Sequence, residues 1–124
     1  MNTLELFLEK IRSEKIASHY ADVFDKYLNG DCQTITLNLA VLTTFKGKQI
    51  EIRQENFFDY CFHYVYKIDG FFYDIRGKFN SIEEIINATE YFDIEEEYET
   101  KEINFNYYLK DKENFKNLLF LKHM

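Results

Sequence analysis

The stretch Tyr60-Cys61-Phe62-His63-Tyr64-Val65-Tyr66-Lys67-Ile68-Asp69-Gly70-Phe71-Phe72-Tyr73-Asp74-Ile75-Arg76-Gly77 decides how this chain folds. Tyr60 to Ile68 and Phe71 to Ile75 are aromatic and β-branched runs, and the Asp69-Gly70 pair between them accepts the positive φ that a two-residue hairpin turn requires. A two-residue loop sets Ile68 opposite Phe71, and counting outward sets Val65 opposite Asp74 and His63 opposite Arg76. Parity then sorts the faces. Phe62, Tyr64, Tyr66, Ile68, Phe71, Tyr73 and Ile75 share one face, almost wholly apolar or aromatic, while Cys61, His63, Val65, Lys67, Phe72, Asp74 and Arg76 share the other. His63 and Asp74 become diagonal neighbours, about 7 Å apart at the backbone, a separation that a carboxylate and an imidazole can bridge. The same relation describes a plain cross-strand polar pair and a catalytic base held by its orienting acid, so a third residue has to discriminate.

Working upstream, Leu28-Asn29-Gly30-Asp31 supplies a glycine stop and an acidic residue able to cap a new helix beginning at Cys32. Residues 32 to 45 fit two patterns. Ile35, Leu37, Leu39 and Val41 alternate as in a strand, whereas Cys32, Ile35, Leu39 and Leu42 fall on one helical face. Alternation slightly favours the strand; 14 residues without a turn residue favour the helix, since strands are usually about 5–6 residues long. Before this segment, Leu4, Phe7, Leu8 and Ile11, then Ile16, Tyr20, Phe24, Tyr27 and Leu28, predict one or two amphipathic helices over residues 3 to 28, with a break near Ser13.

Working downstream from Lys46-Gly47-Lys48-Gln49, a turn, Ile50 to Arg53 reads as a short strand, and Gly77 ends the second hairpin strand. Ser81 with Glu84 forms a capping box for a helix through about Ala88 that buries Ile82, Ile85 and Ile86. Residues 94 to 99 and 102 to 109 read as strands, the latter alternating Ile103, Phe105, Tyr107 and Leu109. A last helix from Asp111 buries Phe115, Leu118, Leu119 and Leu121. No repeat or linker divides the chain, so residues 1–124 are expected to form one α+β domain, with N-terminal helices, including the cysteine-bearing one, packed on an antiparallel sheet.

Composition bounds what such a domain does. At 124 residues, 46% of them hydrophobic and 19% aromatic, the chain can build a core without metal or disulfide staples. A net charge of -7 without a cluster of Lys and Arg excludes a phosphate backbone as the evident partner, so no nucleic acid is expected. No apolar run approaches the roughly 20 residues of a bilayer helix, and the start lacks a signal-peptide pattern, so a cytoplasmic protein without a membrane partner is expected. The densest charge, Asp93-Ile94-Glu95-Glu96-Glu97-Tyr98-Glu99, is either a solvated face or a surface on which Glu95, Glu96 and Glu97 meet a partner.

The two cysteines differ in standing. Cys32, at a helix start, has free backbone N–H groups and the helix dipole to favour a thiolate, and the same N–H groups supply half of an oxyanion hole. Thiol chemistry needs a thiolate, a histidine to shuttle the proton and a residue to hold the ring, which is the set Cys32, His63 and Asp74. Gln33 or Asn29 is the candidate for the second oxyanion hydrogen bond. Cys61 is more simply a small packed residue. A zinc site built from Cys32, Cys61, His63 and Asp74 is the weaker alternative, because paired Cys-x-x-Cys spacing is missing. No metal or other cofactor is therefore expected, and His19 and His123 are given no role.

Gly30-Asp31-Cys32 opening an apolar helix, followed by the strand of His63 and the Tyr73-Asp74-Ile75-Arg76-Gly77 strand, resembles the papain-like and transglutaminase-like superfamily with its Cys, His and Asp core. The likeness spans about residues 29 to 77 and is strongest to short phage and bacterial members. It implies a helix at Cys32, with Cys32 as nucleophile, His63 as general base and then acid, and Asp74 as its orienter. Two functions remain open. One is a cysteine hydrolase or acyltransferase acting on an amide or acyl bond of a protein or peptide, through a Cys32 thioester. The other is a non-catalytic phage-type protein that binds or inhibits a host factor through its acidic surface. Oligomeric state is not legible.

Overall fold

A computed structural model describes residues 2–13, 32–55 and 60–106, and for Tyr60 and Cys61 the backbone only. In chain order the elements are α1 (Thr3–Ser13), α2 (Cys32–Leu42), β1 (Lys48–Glu55), β2 (Tyr60–Ile68), β3 (Phe71–Asp74), β4 (Gly77–Phe79), α3 (Ile82–Ala88) and β5 (Glu99–Ile103). The strands form one antiparallel sheet in the order β4-β3-β2-β1-β5. This is a mixed α+β fold.

The hairpin forms in the expected register, Ile68 opposite Phe71, with Asp69 and Gly70 at φ 54° and 80°. Parity sorts its faces as expected. Tyr66, Tyr73 and Ile75 join Leu4, Phe7, Leu8 and Ile11 of α1 and Ile35, Leu37 and Leu39 of α2 in one core. Val65 joins Ile52, Ile85, Ile86 and Phe92 in a second core under α3. The β2–β3 ladder stops at Tyr66 opposite Tyr73, so the expected pairing of Val65 with Asp74 and of His63 with Arg76 does not extend it. Asp74 instead pairs with Gly77, and a tight Ile75-Arg76 turn leads into β4. Gly77 therefore opens a strand rather than ending one, and its φ of 124° suits a residue without Cβ.

Side chains cap two of the helices, the second at the expected Ser81, while the expected Asp31 cap lies outside the described residues. Asn2 Oδ1 accepts from Glu5 N at 2.9 Å while Glu5 Oε1 accepts from Asn2 N at 3.3 Å, a reciprocal cap for α1. Ser81 Oγ accepts from Glu84 N at 3.2 Å, and the Glu84 carboxylate accepts from Asn80 N at 2.8 Å, one residue before the cap. The segment from Cys32 is the helix. Seven of its residues, Cys32 and Ile35 through Ala40, are buried, the polar Thr36 and Asn38 among them, so it is enclosed on several sides and shows no clean apolar stripe. Tyr66 fastens its far end, since the phenol oxygen accepts from Gly47 N at 2.7 Å and hydrogen-bonds the Thr43 hydroxyl.

The C-terminal expectations need correction. Residues 94 to 98 form turns and irregular chain, the strand is Glu99–Ile103, and of the expected 102–109 strand residues 104 to 106 lie beyond it while 107 to 109 fall outside the described residues. Phe105 leaves the sheet and enters the first core. Gln54 explains the turns: its side chain donates to Asp93 O at 2.7 Å and accepts from Asp93 N at 2.8 Å, so it satisfies the acidic loop as a neighbouring strand would. The break near Ser13 coincides with the end of α1. The second N-terminal helix and the helix from Asp111 fall outside the described residues.

Candidate active site

Three elements supply the site: the first residue of α2, the middle of β2 and the end of β3. The β2–β3 pairing ends before His63, which leaves that flank of β2 unpaired at the level of the imidazole among the described residues. Cys32 is 6% exposed, His63 0% and Asp74 1%.

His63 Nε2 donates to Asp74 Oδ2 at 2.8 Å. Asp74 accepts four further contacts, all from Arg76. The backbone N reaches Oδ1 at 2.8 Å, Nη2 reaches Oδ2 at 2.7 Å, and Nε lies 3.2 Å from both oxygens. The carboxylate's lone pairs are thus occupied by cationic and amide donors. Burial works to neutralise Asp74, but the His63 and Arg76 hydrogen bonds and charges outweigh it and hold the carboxyl below its usual range. Burial likewise pulls His63 down, yet the Asp74 hydrogen bond, the Cys32 side chain and the Asp74 charge lift it from 6.5 to about 9. The direction of the shift favours the protonated ring.

The other ring nitrogen, Nδ1, is buried and makes no hydrogen bond among the described residues. With Nε2 committed to Asp74, Nδ1 is the nitrogen left for Cys32, whose side chain contributes to the ring's stabilised charge. A buried imidazole nitrogen is ordinarily matched to a polar neighbour, and the Cys32 side chain is the one on this side of the ring. Among the described residues, no group of three His, Cys, Asp or Glu side chains is placed to hold a metal ion.

Of the residues singled out in the sequence, the fold brings together Cys32, His63 and Asp74. Gln33 follows Cys32 in α2, half-buried, and its carbonyl accepts from Thr36 Oγ1 at 2.7 Å. Asn29 lies outside the described residues, as do His19 and His123, and nothing is described of the Cys61 side chain. Glu95, Glu96 and Glu97 are exposed on the loop pinned by Gln54. Glu96 and Glu97, with Arg53, Glu55, Tyr98 and Glu99, line a cleft of about 480 Å³.

Arg76 was missed by sequence reasoning. Counting along the hairpin places it on the face of His63 and Asp74, but its contact with Asp74 arises from the turn that doubles the chain back into β4, which the reading of Gly77 as a stop concealed.

The family model described as Phage YunG-like protein matches residues 6–121. The chain belongs to that family. The match spans the site and both cores except Leu4, and the family's description places the chain among phage proteins. No curated protein and no solved structure matches the chain. Among the described residues no helix is long and apolar enough to cross a membrane.

Proposed function

We propose that this YunG-like chain is a small cysteine enzyme with a papain-like or transglutaminase-like core, acting on an amide or acyl bond of a protein or peptide through a thioester at Cys32. One observation carries the reading: a buried His63 ring whose Nε2 is held by Asp74 and whose remaining nitrogen, Nδ1, is left to face the Cys32 thiol. In this reaction His63 Nδ1 holds the Cys32 proton. The thiolate sulfur attacks the acyl carbon, an S–C bond forms, and the carbonyl electron pair moves to oxygen. When the pair returns, the C–N bond breaks and Nδ1–H protonates the departing amine. Neutral Nδ1 then takes a proton from water, or from an acceptor amine, as it attacks the thioester. The water oxygen or amine nitrogen forms its bond to the acyl carbon, the C–S bond breaks, and the sulfur leaves with its electron pair as a thiolate beside the reprotonated His63 ring. Backbone N–H groups at the start of α2 would steady the oxyanion, with Gln33 or Asn29 as the second donor.

The test is alkylation of the native protein with iodoacetamide, the labelled cysteine being located by mass spectrometry. Rapid labelling of Cys32 at neutral pH that is lost in His63→Ala supports the reading. Labelling of Cys32 at the same rate with and without His63 removes its basis.

The acidic cleft favours a second reading, a phage protein that binds or inhibits a host factor through Glu95, Glu96 and Glu97. Recovery of host proteins with the wild type and with all three glutamates changed to Lys tests it. Unchanged recovery removes the acidic loop from the account.

A further inference from the structure

We propose that Arg76 is a positioning residue of this site: its guanidinium holds the Asp74 carboxylate so that Oδ2 meets His63 Nε2, which leaves Nδ1 as the nitrogen that serves Cys32. The inference rests on the reading of Cys32 as nucleophile and adds a fourth member to it.

A carboxylate joined to the backbone by one Cβ rotates about χ2 unless both oxygens are held. Here Arg76 engages both at once. Nε and Nη2 grip from the side, while its own backbone N–H fixes Oδ1. The grip is itself anchored. Nη1 donates to Ala88 O at 2.8 Å and Nη2 to Thr89 Oγ1 at 2.9 Å, at the C-terminal end of α3, where the helix dipole favours a cation. The Phe79 ring covers the guanidinium at 5.1 Å, and the Arg76 side chain is 12% exposed. Thr89 is in turn bound, its hydroxyl donating to Ile85 O at 2.6 Å. A planar fork with five donors satisfies two carboxylate oxygens, a carbonyl and a hydroxyl together, and a lysine ammonium does not. Arg76 touches no reacting atom; it acts through Asp74.

Exchange of the His63 Nε2–H with water, read by ring 15N–1H NMR, and the rate of Cys32 alkylation test this in Arg76→Gln, Arg76→Lys and Thr89→Val. In Arg76→Gln, Nε2–H exchange should rise and alkylation should slow, each by about tenfold or more, because a carboxylate free to rotate no longer fixes the ring. Arg76→Lys keeps the charge and should recover only part of both. Thr89→Val removes one anchor without touching Asp74 and should shift both readouts in the same direction by less. A purely structural role would lower the melting temperature and leave exchange and alkylation of the folded variants at wild-type values, which overturns the proposal. If Arg76→Gln does not fold, unchanged values in Arg76→Lys and Thr89→Val overturn it equally. If wild-type alkylation proves independent of His63, the nucleophile reading fails, and Nε2–H exchange alone still decides whether Arg76 sets the ring.

Discussion

Asp74→Asn keeps the volume of the side chain and removes its charge, at a position 1% exposed against a histidine that is 0% exposed. Burial alone would push His63 below 6.5; Asp74 and Cys32 together carry it to about 9. At 1.36 kcal/mol per pKa unit, that rise corresponds to about 3 kcal/mol in favour of the native state with a protonated ring. The sign follows from the direction of the shift. Below 6.5 the unfolded chain is also protonated and the contribution is present in full; it declines as pH rises and is gone above about 9. The Asp74 carboxyl, shifted down from 3.8, contributes above 3.8, and that part is lost as pH falls through its native value. The stability gap between wild type and Asp74→Asn should therefore be widest in mildly acidic solution and narrow toward strongly alkaline pH by the part of that about 3 kcal/mol that Asp74 rather than Cys32 supplies. A pH-independent part remains, because Arg76 keeps its charge with no carboxylate beside it, at a cost on the order of 3–5 kcal/mol for a broken buried pair. Urea denaturation followed by far-UV circular dichroism at several pH values measures the gap, and the His63 ring proton followed by NMR gives the titration directly. A gap that stays constant from mildly acidic to alkaline pH, or a wild-type His63 that titrates at or below 6.5, would refute the reasoning.

Three further outcomes test the scaffold that holds the site. A Cβ on Gly47 would lie 2.5 Å from Lys67 O and from Tyr66 Cζ, so Gly47→Ala should lower the urea midpoint by the equivalent of about 1–3 kcal/mol or more. Ser81→Ala removes the cap of α3 and should cost about 1 kcal/mol in the same assay, with little effect on alkylation of Cys32. Leu39, 0% exposed in α2, leaves a cavity when truncated; Leu39→Ala should cost about 2–5 kcal/mol, and an unchanged midpoint would contradict its place in the core.

The cysteine helix shows how a pattern can mislead when an element is buried on several sides. Segment 32–42 alternates apolar residues as a strand does because Leu37, off the helical face of Ile35 and Leu39, is buried as fully as they are. Length and the stop before Cys32 pointed to the helix; burial explains why periodicity did not. The acidic run misled in the other direction. Its residues suit an exposed edge, yet the backbone groups of Asp93 are satisfied by the Gln54 side chain instead of by strand pairing. Nothing local to residues 94–98 announces a glutamine from β1.

What the sequence alone determined is whatever depends on near neighbours along the chain. The Asp69-Gly70 turn set the register of β2 on β3, and the register put His63 and Asp74 on one face because side chains alternate with period two. Ser81 and Glu84 placed α3 by the same kind of local rule. Only the tertiary structure decided the rest. Whether Cys32 reaches His63 depends on how α2 lies on the sheet, and whether Asp74 stays charged while buried depends on Arg76 folding back through β4 and gripping α3. These are contacts between elements, set by packing and by the need to satisfy buried charge, and no spacing along one strand encodes them.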